Sequence, residues 1–217
     1  MTQNKITLFI DVDDTIINSS QTVLDILTEK HKIQENKTLN DLKDWQYRSV
    51  CKEIKSKEVQ EVYSSDGFFE NVKINETFLD FYKQNQDNFN FVFVTRGSAQ
   101  NLSKKQEYLK NQLGNTFDYV GIDVDYEKWL YEYVDKFDKI WTNRPRKNID
   151  MSKGIQIDDT LDCLTTSNAK LKILLKDSPL DFHWNRQVIH SDDIYIAESW
   201  KDIIEIVTFL QKTEELG

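Results

Sequence analysis

Two short apolar runs end on adjacent carboxylates, and this pattern constrains the fold more than any other feature of the chain. Lys5 to Val12 reads as a strand whose apolar run, Ile6 to Ile10 (ITLFI), leads into Asp11-Val12-Asp13-Asp14-Thr15, and Gly154 to Ile157 (GIQI) leads into Asp158-Asp159-Thr160. A third run, Asn90 to Val94 (NFVFV), meets Thr95-Arg96-Gly97-Ser98. Near-continuous apolar runs of strand length belong to parallel sheets covered on both faces. Sites in such sheets lie beyond the carboxyl ends of the strands. Polar residues placed directly after these runs are therefore expected along one edge.

The segments between the runs have helical character. Ser19 or Ser20 can cap a helix over Val23, Leu24, Ile26 and Leu27. Further helices are predicted over Ile74–Gln84, Ser98–Leu113, Tyr126–Phe137 and Ser199–Gln211, the last with Ile203, Ile204, Val207 and Leu210 on one stripe. Phe117–Val124, Lys139–Thr142 and Lys172–Leu175 are additional strand candidates. Strands alternating with helices of this length predict an α/β fold, a Rossmann-like parallel sheet with helices on both faces. Residues 18–73 break the alternation. They read as a small helical cap inserted after the first strand, leaving 1–17 and 74–217 as the α/β core.

Composition sets limits on partners. The 217 residues carry 28 Lys and Arg against 37 Asp and Glu, a net charge of −9. That balance argues against a basic nucleic-acid-coating surface and a stable nucleic-acid complex, but it leaves room for a small phosphorylated substrate held by one local cationic pocket. The apolar run at Ile6–Ile10 is too short for a secretory leader, and no run approaches the ~18–20 apolar residues of a membrane span. Cys51 and Cys163 form no CxxC pair, and His31, His183 and His190 show no metal-binding spacing. A cytoplasmic protein with two reduced thiols is expected.

Four segments carry the chemistry. Asp11-Val12-Asp13-Asp14 places three carboxylates in four residues. Like charges repel and lose water there, so the loop suits a divalent cation, or else an acidic turn or helix cap. Thr95-Arg96-Gly97-Ser98 offers a hydroxyl, a guanidinium and a helix start, as in a phosphate grip or in an ordinary capped turn. Asn143-Arg144-Pro145-Arg146-Lys147 is a cationic loop in an acidic chain, and a solvated loop is its plainer reading. Asp158-Asp159 repeats the acidic strand end, or forms a turn. In this order, on parallel strands, the four would surround a metal with two acidic loops, a hydroxyl and a cation.

Asp11-x-Asp13-x-Thr15, Thr95, Lys147 and Asp158-Asp159 resemble the four motifs of the haloacid dehalogenase superfamily. The closest resemblance is to its 5′(3′)-deoxyribonucleotidases. Gly67-Phe68-Phe69, the stretch from Tyr126 through Ile140-Trp141-Thr142, the segment with Asp177-Ser178-Pro179 and Trp184-Asn185-Arg186, and Glu198-Ser199-Trp200 are similar to that family as well. The resemblance spans nearly the whole chain but is dense only at the motifs. Asp14 stands where the family often has glycine. Lys147 fits the lysine position best, with Lys153 and Lys139 nearby.

The resemblance implies a Mg²⁺-dependent phosphomonoesterase that hydrolyses (deoxy)nucleoside monophosphates through an aspartyl phosphate. Asp11 would be the nucleophile and Asp13 the general acid and base. Asp11, Asp13 (by its backbone carbonyl), Asp158 and Asp159 would hold the metal, and Thr95 and Lys147 the transferring oxygens. Arg96, Gly97 and Ser98 would assist at the phosphate. Trp45, Tyr47, Phe68 and Phe69 would offer aromatic faces to a base, or else form the cap's own core, and Trp184 and Arg186 would lie at the mouth. A phosphatase for another small metabolite or a nucleic-acid 3′-phosphate, and a non-catalytic nucleotide- or protein-binding protein of the same fold, are the alternatives. The partner expected is a phosphate ester, with the chain acting as a monomer or homodimer away from membranes.

Overall fold

In the computed structural model, which describes residues 5–30, 32–33, 36–43, 47–124, 147–176 and 193–213, six strands form one sheet. They are β1 (Ile6–Ile10), β2 (Phe89–Gly97), β3 (Asp118–Asp123), β4 (Gly154–Asp158), β5 (Leu171–Leu175) and β6 (Ile194–Ala197). Their order is β3-β2-β1-β4-β5-β6, and every pairing is parallel. The chain moves outward on one side of β1 through β2 and β3, then restarts on the other side at β4. The reversal falls between β1 and β4, where open parallel sheets form a crevice at their carboxyl ends.

Alternation along the strands builds two apolar layers. Leu8, Ile10, Phe91, Phe93, Ile155 and Ile157 enter the larger core cluster, together with residues of α4 (Glu76–Asn85), α5 (Ala99–Leu113) and α7 (Trp200–Thr213). Val92 and Val94, with Met151 and Ala169, form a second cluster against which Phe9 and Val120 pack. Aromatics dominate the first layer: Phe78 meets Trp200 at 4.7 Å and Phe93 at 6.0 Å between ring centroids. A short helix, α6 (Leu161–Thr165), returns β4 to β5.

Between β1 and α4 lie α1 (Ser19–Glu29), a 3₁₀ turn (Leu39–Asp41), α2 (Ser56–Tyr63) and α3 (Asp66–Asn71). The chain leaves and rejoins the sheet at neighbouring points. Ile17 bridges Ile74 in antiparallel fashion, Asn18 N donates to Lys73 O at 3.1 Å, and Asn75 N donates to Ile16 O at 2.8 Å. Val23, Leu24, Val59, Val62 and Phe68 of this segment belong to the same cluster as the sheet's larger core. The inserted helices therefore share one apolar interior with the sheet.

Several elements differ from the sequence expectation. β2 continues through Thr95, Arg96 and Gly97, which places these residues in the strand rather than after it. β6 has no counterpart in the sequence reading. It is a four-residue edge strand, Ile194-Tyr195-Ile196-Ala197, apolar throughout but with Tyr195 and Ile196 exposed, and so short a run fits a strand or the approach to the last helix equally well. Ser19 and Ser20 begin α1 but do not cap it, because Asn18 holds the cap position and makes no side-chain cap bond. The expected helix over 126–137 and strand over 139–142 lie outside the described residues. Among the described residues, no helix is long and apolar enough to cross a membrane.

Candidate active site

The site begins where β1 stops. Ile10 pairs with Phe93 on one side and Ile157 on the other, so Asp11, Thr95 and Asp158 reach the same sheet edge. Asp11 N donates to Ile157 O at 2.9 Å, carrying the ladder one step further. The chain then turns sharply, with Ile16 N and Ile17 N both donating to Val12 O. Asp14 takes φ +53° in this turn. That left-handed conformation favours glycine, and aspartate is among the few other residues that tolerate it. The aspartate at a position where glycine is common in related motifs thus has a backbone explanation.

Asp11, Asp158 and Asp159 are buried, and each offers a carboxylate oxygen within 4.8 Å of the others. Lys147 Nζ donates to Asp11 Oδ1 at 2.5 Å and to Asp158 Oδ2 at 2.7 Å. Thr160 N and Gln156 Nε2 donate to the Asp158 carboxylate. Burial pushes the Asp11 carboxyl up to about 6; Lys147 opposes this, and Asp158 and Asp13 add to it. Burial, then Asp11 and Asp158, hold Asp159 well above the usual carboxylate range. For Lys147, burial favours the neutral form, but Asp11 and Asp158 prevail and hold the ammonium above its ordinary value. An all-oxygen, buried, charge-excess cluster fits a hard divalent cation such as Mg²⁺.

Asp13 lies on the other side of the loop and is part-exposed. Its Oδ1 accepts from Ser19 Oγ at 2.7 Å. Its Oδ2 accepts from Lys105 Nζ at 2.5 Å and from Thr95 Oγ1 at 3.3 Å. Lys105 Nζ also donates to Thr95 Oγ1 at 2.9 Å. The third carboxylate, Asp14, turns inward and accepts from Ser20 N at 2.7 Å and Ser20 Oγ at 2.5 Å. Burial raises Asp14 to about 7, against the pull of the two Ser20 bonds. Trp200 Nε1 donates to Thr15 O at 2.7 Å, which ties the last helix to the same loop.

No protein-family model matches the chain, and no curated protein matches it. Solved structures do. The haloacid dehalogenase-like family hydrolase SP0104 of Streptococcus pneumoniae is 14% identical with a TM-score of 0.56, over 95% of this chain and 98% of that one. The magnesium-bound putative HAD-hydrolase YfnB of Bacillus subtilis is 16% identical with a TM-score of 0.53, over 94% of this chain and 99% of that one. The HAD-superfamily hydrolase GSU2069 of Geobacter sulfurreducens is 12% identical with a TM-score of 0.52, over 94% and 96%. The fold is that of the haloacid dehalogenase-like hydrolases.

On this HAD-like frame the structure brings together Asp11, Asp13, Thr95, Lys147, Asp158 and Asp159. Lys153 is exposed, so of the described lysine candidates only Lys147 reaches the cluster. Lys139, Trp45, Trp184 and Arg186 lie outside the described residues. Arg96 is half-buried, and its charge acts on Lys147 and Cys163. Burial pushes the Cys163 thiol up to about 12, so it holds its proton near neutrality and is a poor nucleophile.

The structure also places the residues expected near the substrate. Phe68 is fully buried and packs on Tyr63 and Phe69, so it has no face open to a base. Tyr47 is fully buried too, with its hydroxyl donating to Ser20 O at 3.1 Å. Both aromatics fill the interior that the inserted helices share with the sheet. Phe69 is only half-buried, packed between Phe68 and Tyr108. Ser98 Oγ caps α5 by accepting from Asn101 N at 3.3 Å. Gly97 sits against Asn101, whose side chain a Cβ at 97 would strike. Asn101 in turn donates to Tyr63 O at 2.6 Å, so Gly97 and Ser98 help seat α5 and the inserted helices.

The candidate site also contains a residue that the motifs do not flag. Lys105 stands in the buried face of α5 with Asn101, Leu102, Tyr108 and Leu109. Its sequence signal is a cation interrupting an apolar helical stripe, which the strand-end motifs do not include.

Proposed function

We propose that this protein is a divalent-cation-dependent phosphomonoesterase acting on (deoxy)nucleoside monophosphates. The observation that carries the reading is the division of one loop between two environments: Asp11 lies among buried carboxylates and Lys147, while Asp13 lies at the part-exposed rim against Thr95. Two carboxylates in unlike surroundings can take the roles of nucleophile and proton carrier.

Asp11 attacks phosphorus through a carboxylate oxygen, and the phosphorus–oxygen ester bond breaks. Asp13, which takes up a proton from solvent as the ester enters, gives that proton to the departing alkoxide, leaving an aspartyl phosphate on Asp11. Asp13 then takes a proton from water, whose oxygen attacks phosphorus and releases inorganic phosphate. Lys147 orients the Asp11 carboxylate and places positive charge beside the phosphoryl oxygens. The Thr95 hydroxyl donates to one of those oxygens. A divalent cation would be held by Asp11, Asp158, Asp159 and the Asp13 carbonyl, and when bound it offsets charge on the phosphoryl group.

The nucleotide substrate is supported by the motif resemblance to the deoxyribonucleotidases. A second reading, a phosphatase for another small metabolite, is favoured by one specific observation: Tyr47 and Phe68 are buried, which removes two stacking surfaces for a base. A panel of phosphate monoesters with Mg²⁺ separates the two. Deoxynucleoside monophosphates are expected to turn over fastest. Sugar phosphates turning over while every nucleotide stays intact would establish the second reading, and no hydrolysis of any ester would overturn both.

A further inference from the structure

We infer that Lys105 is a positioning residue that fixes the Asp13 carboxylate and the Thr95 hydroxyl in one arrangement and acts, through Asp13, on departure of the leaving group. This rests on the phosphomonoesterase reading above.

The side chain of Lys105 is 1% exposed. Burying an ammonium costs free energy unless charge and hydrogen bonds compensate it. An apolar residue at this place would continue the stripe of Leu102 and Leu109 without that cost. The ammonium instead contacts Asp13 Oδ2 at 2.5 Å, Thr95 Oγ1 at 2.9 Å and the Arg96 carbonyl at 3.5 Å. All three lie at the edge where the ester would bind. Lys147 is engaged separately with Asp11 and Asp158, so the two lysines serve different carboxylates.

The helix that carries Lys105 is tied down on several sides. α5 is capped by Ser98, joined to Tyr63 by Asn101, and packed into the core by Leu109 and Leu113. Asp13 is gripped at both oxygens, by Ser19 from α1 and by Lys105 from α5. A carboxylate held in this way meets the leaving oxygen without a search over rotamers, which is how positioning lowers a barrier.

The test uses kcat/KM, which reports steps through loss of the leaving group. Two esters are compared: the fastest alkyl phosphate of the panel, whose alkoxide needs a proton, and p-nitrophenyl phosphate, whose phenolate leaves without one. Lys105→Met is expected to lower kcat/KM about 10²-fold for the alkyl ester and less than about 10-fold for the aryl ester. Lys105→Arg should recover part of the alkyl rate. In an Asp13→Asn background, Lys105→Met should lower the rate of the p-nitrophenolate burst by no more than the small aryl-ester loss, the part that passes through Thr95, because the carboxylate it acts through is gone. That double variant carries neither charge, so it supplies the comparison even if Lys105→Met alone fails to fold. Equal losses on both esters, no loss on either, or an additive loss in the Asp13→Asn background would overturn the inference. A wild-type chain inactive on every ester overturns the functional reading itself, and the inference with it. An active wild type matched by Lys105→Met removes the inference alone.

Discussion

Around Asp11, three buried carboxylates gather and two of them, Asp11 and Asp158, share the ammonium of Lys147; around Asp13, one carboxylate meets the ammonium of Lys105 and the hydroxyls of Ser19 and Thr95. The two sets are separated by a single residue in the chain. In the first, negative charge is in excess, and burial raises the affinity of Asp11 and Asp159 for protons. In the second, charge is matched one to one and each carboxylate oxygen has a donor. The first half is built to receive a cation, whereas the second is already assembled. One loop can therefore hold a group that waits for its partner and a group that is held in place.

The sharpest way to break this comparison is at Asp11. Asp11→Asn is expected to lower turnover at least about 10³-fold while leaving the thermal unfolding transition close to wild type, since the amide still accepts from Lys147. Steady-state rates and acid-quenched trapping of a phosphorylated chain would measure this. Unchanged turnover would remove Asp11 as the nucleophile and leave the two halves without distinct roles.

Metal removal sharpens the contrast next. Chelation is expected to stop hydrolysis and Mg²⁺ to restore it. A ligand that binds only the folded chain stabilises it by about 2.7 kcal/mol at 100 times its Kd. Thermal unfolding with and without Mg²⁺ should therefore show a gain in wild type and in Asp13→Asn, and a much smaller gain in Asp159→Asn. Metal-independent turnover, or equal gains in all three, would dissolve the division into halves.

The smallest effect is expected at Asp14, which belongs to neither half. Its carboxyl is raised to about 7 in the folded chain from an ordinary 3.8. Between these values the folded chain binds more protons than the unfolded one, so Asp14 makes stability fall as pH rises through that window. Asp11 and Asp159 contribute with the same sign. Asp14→Asn keeps an acceptor for Ser20 and tolerates the left-handed backbone. Its stability should fall less steeply from pH 4 to 7, and at pH 8 it should exceed wild type by about 1 kcal/mol, roughly the worth of one pKa unit. Denaturant unfolding at several pH values measures this, and a slope equal to wild type would show that Asp14 titrates at its ordinary value.

How much of this could be read from the chain depends on the range of the interaction. β1, β2, β4 and β5 were recognisable because burial on both faces demands continuous apolar runs. The edge strand β6 also carries an apolar run, Ile194 to Ala197, but four such residues fit a strand or the approach to the last helix equally well. Asp11, Asp13, Thr95, Asp158 and Asp159 were readable as site residues because each follows or ends a buried strand, and parallel strands bring such ends together. Lys105 belongs to a helix and reaches the site only because α5 packs across β2 and β3. The aromatics Tyr47 and Phe68 were ambiguous for a similar reason. A large ring suits a stacking surface and a core equally well, and only packing against α1 and Tyr63 decided for the core.

The amino-acid sequence by itself determined which buried strands form, where their carboxyl ends carry acids, and that those acids would gather at one edge. These follow from local patterns of apolar and charged residues. The tertiary structure alone decided which lysine meets which carboxylate, which carboxyl is raised by burial, and which aromatics face inward. Those outcomes turn on distance and on exclusion of water between residues far apart in the chain, and both exist only once the sheet and its helices have packed.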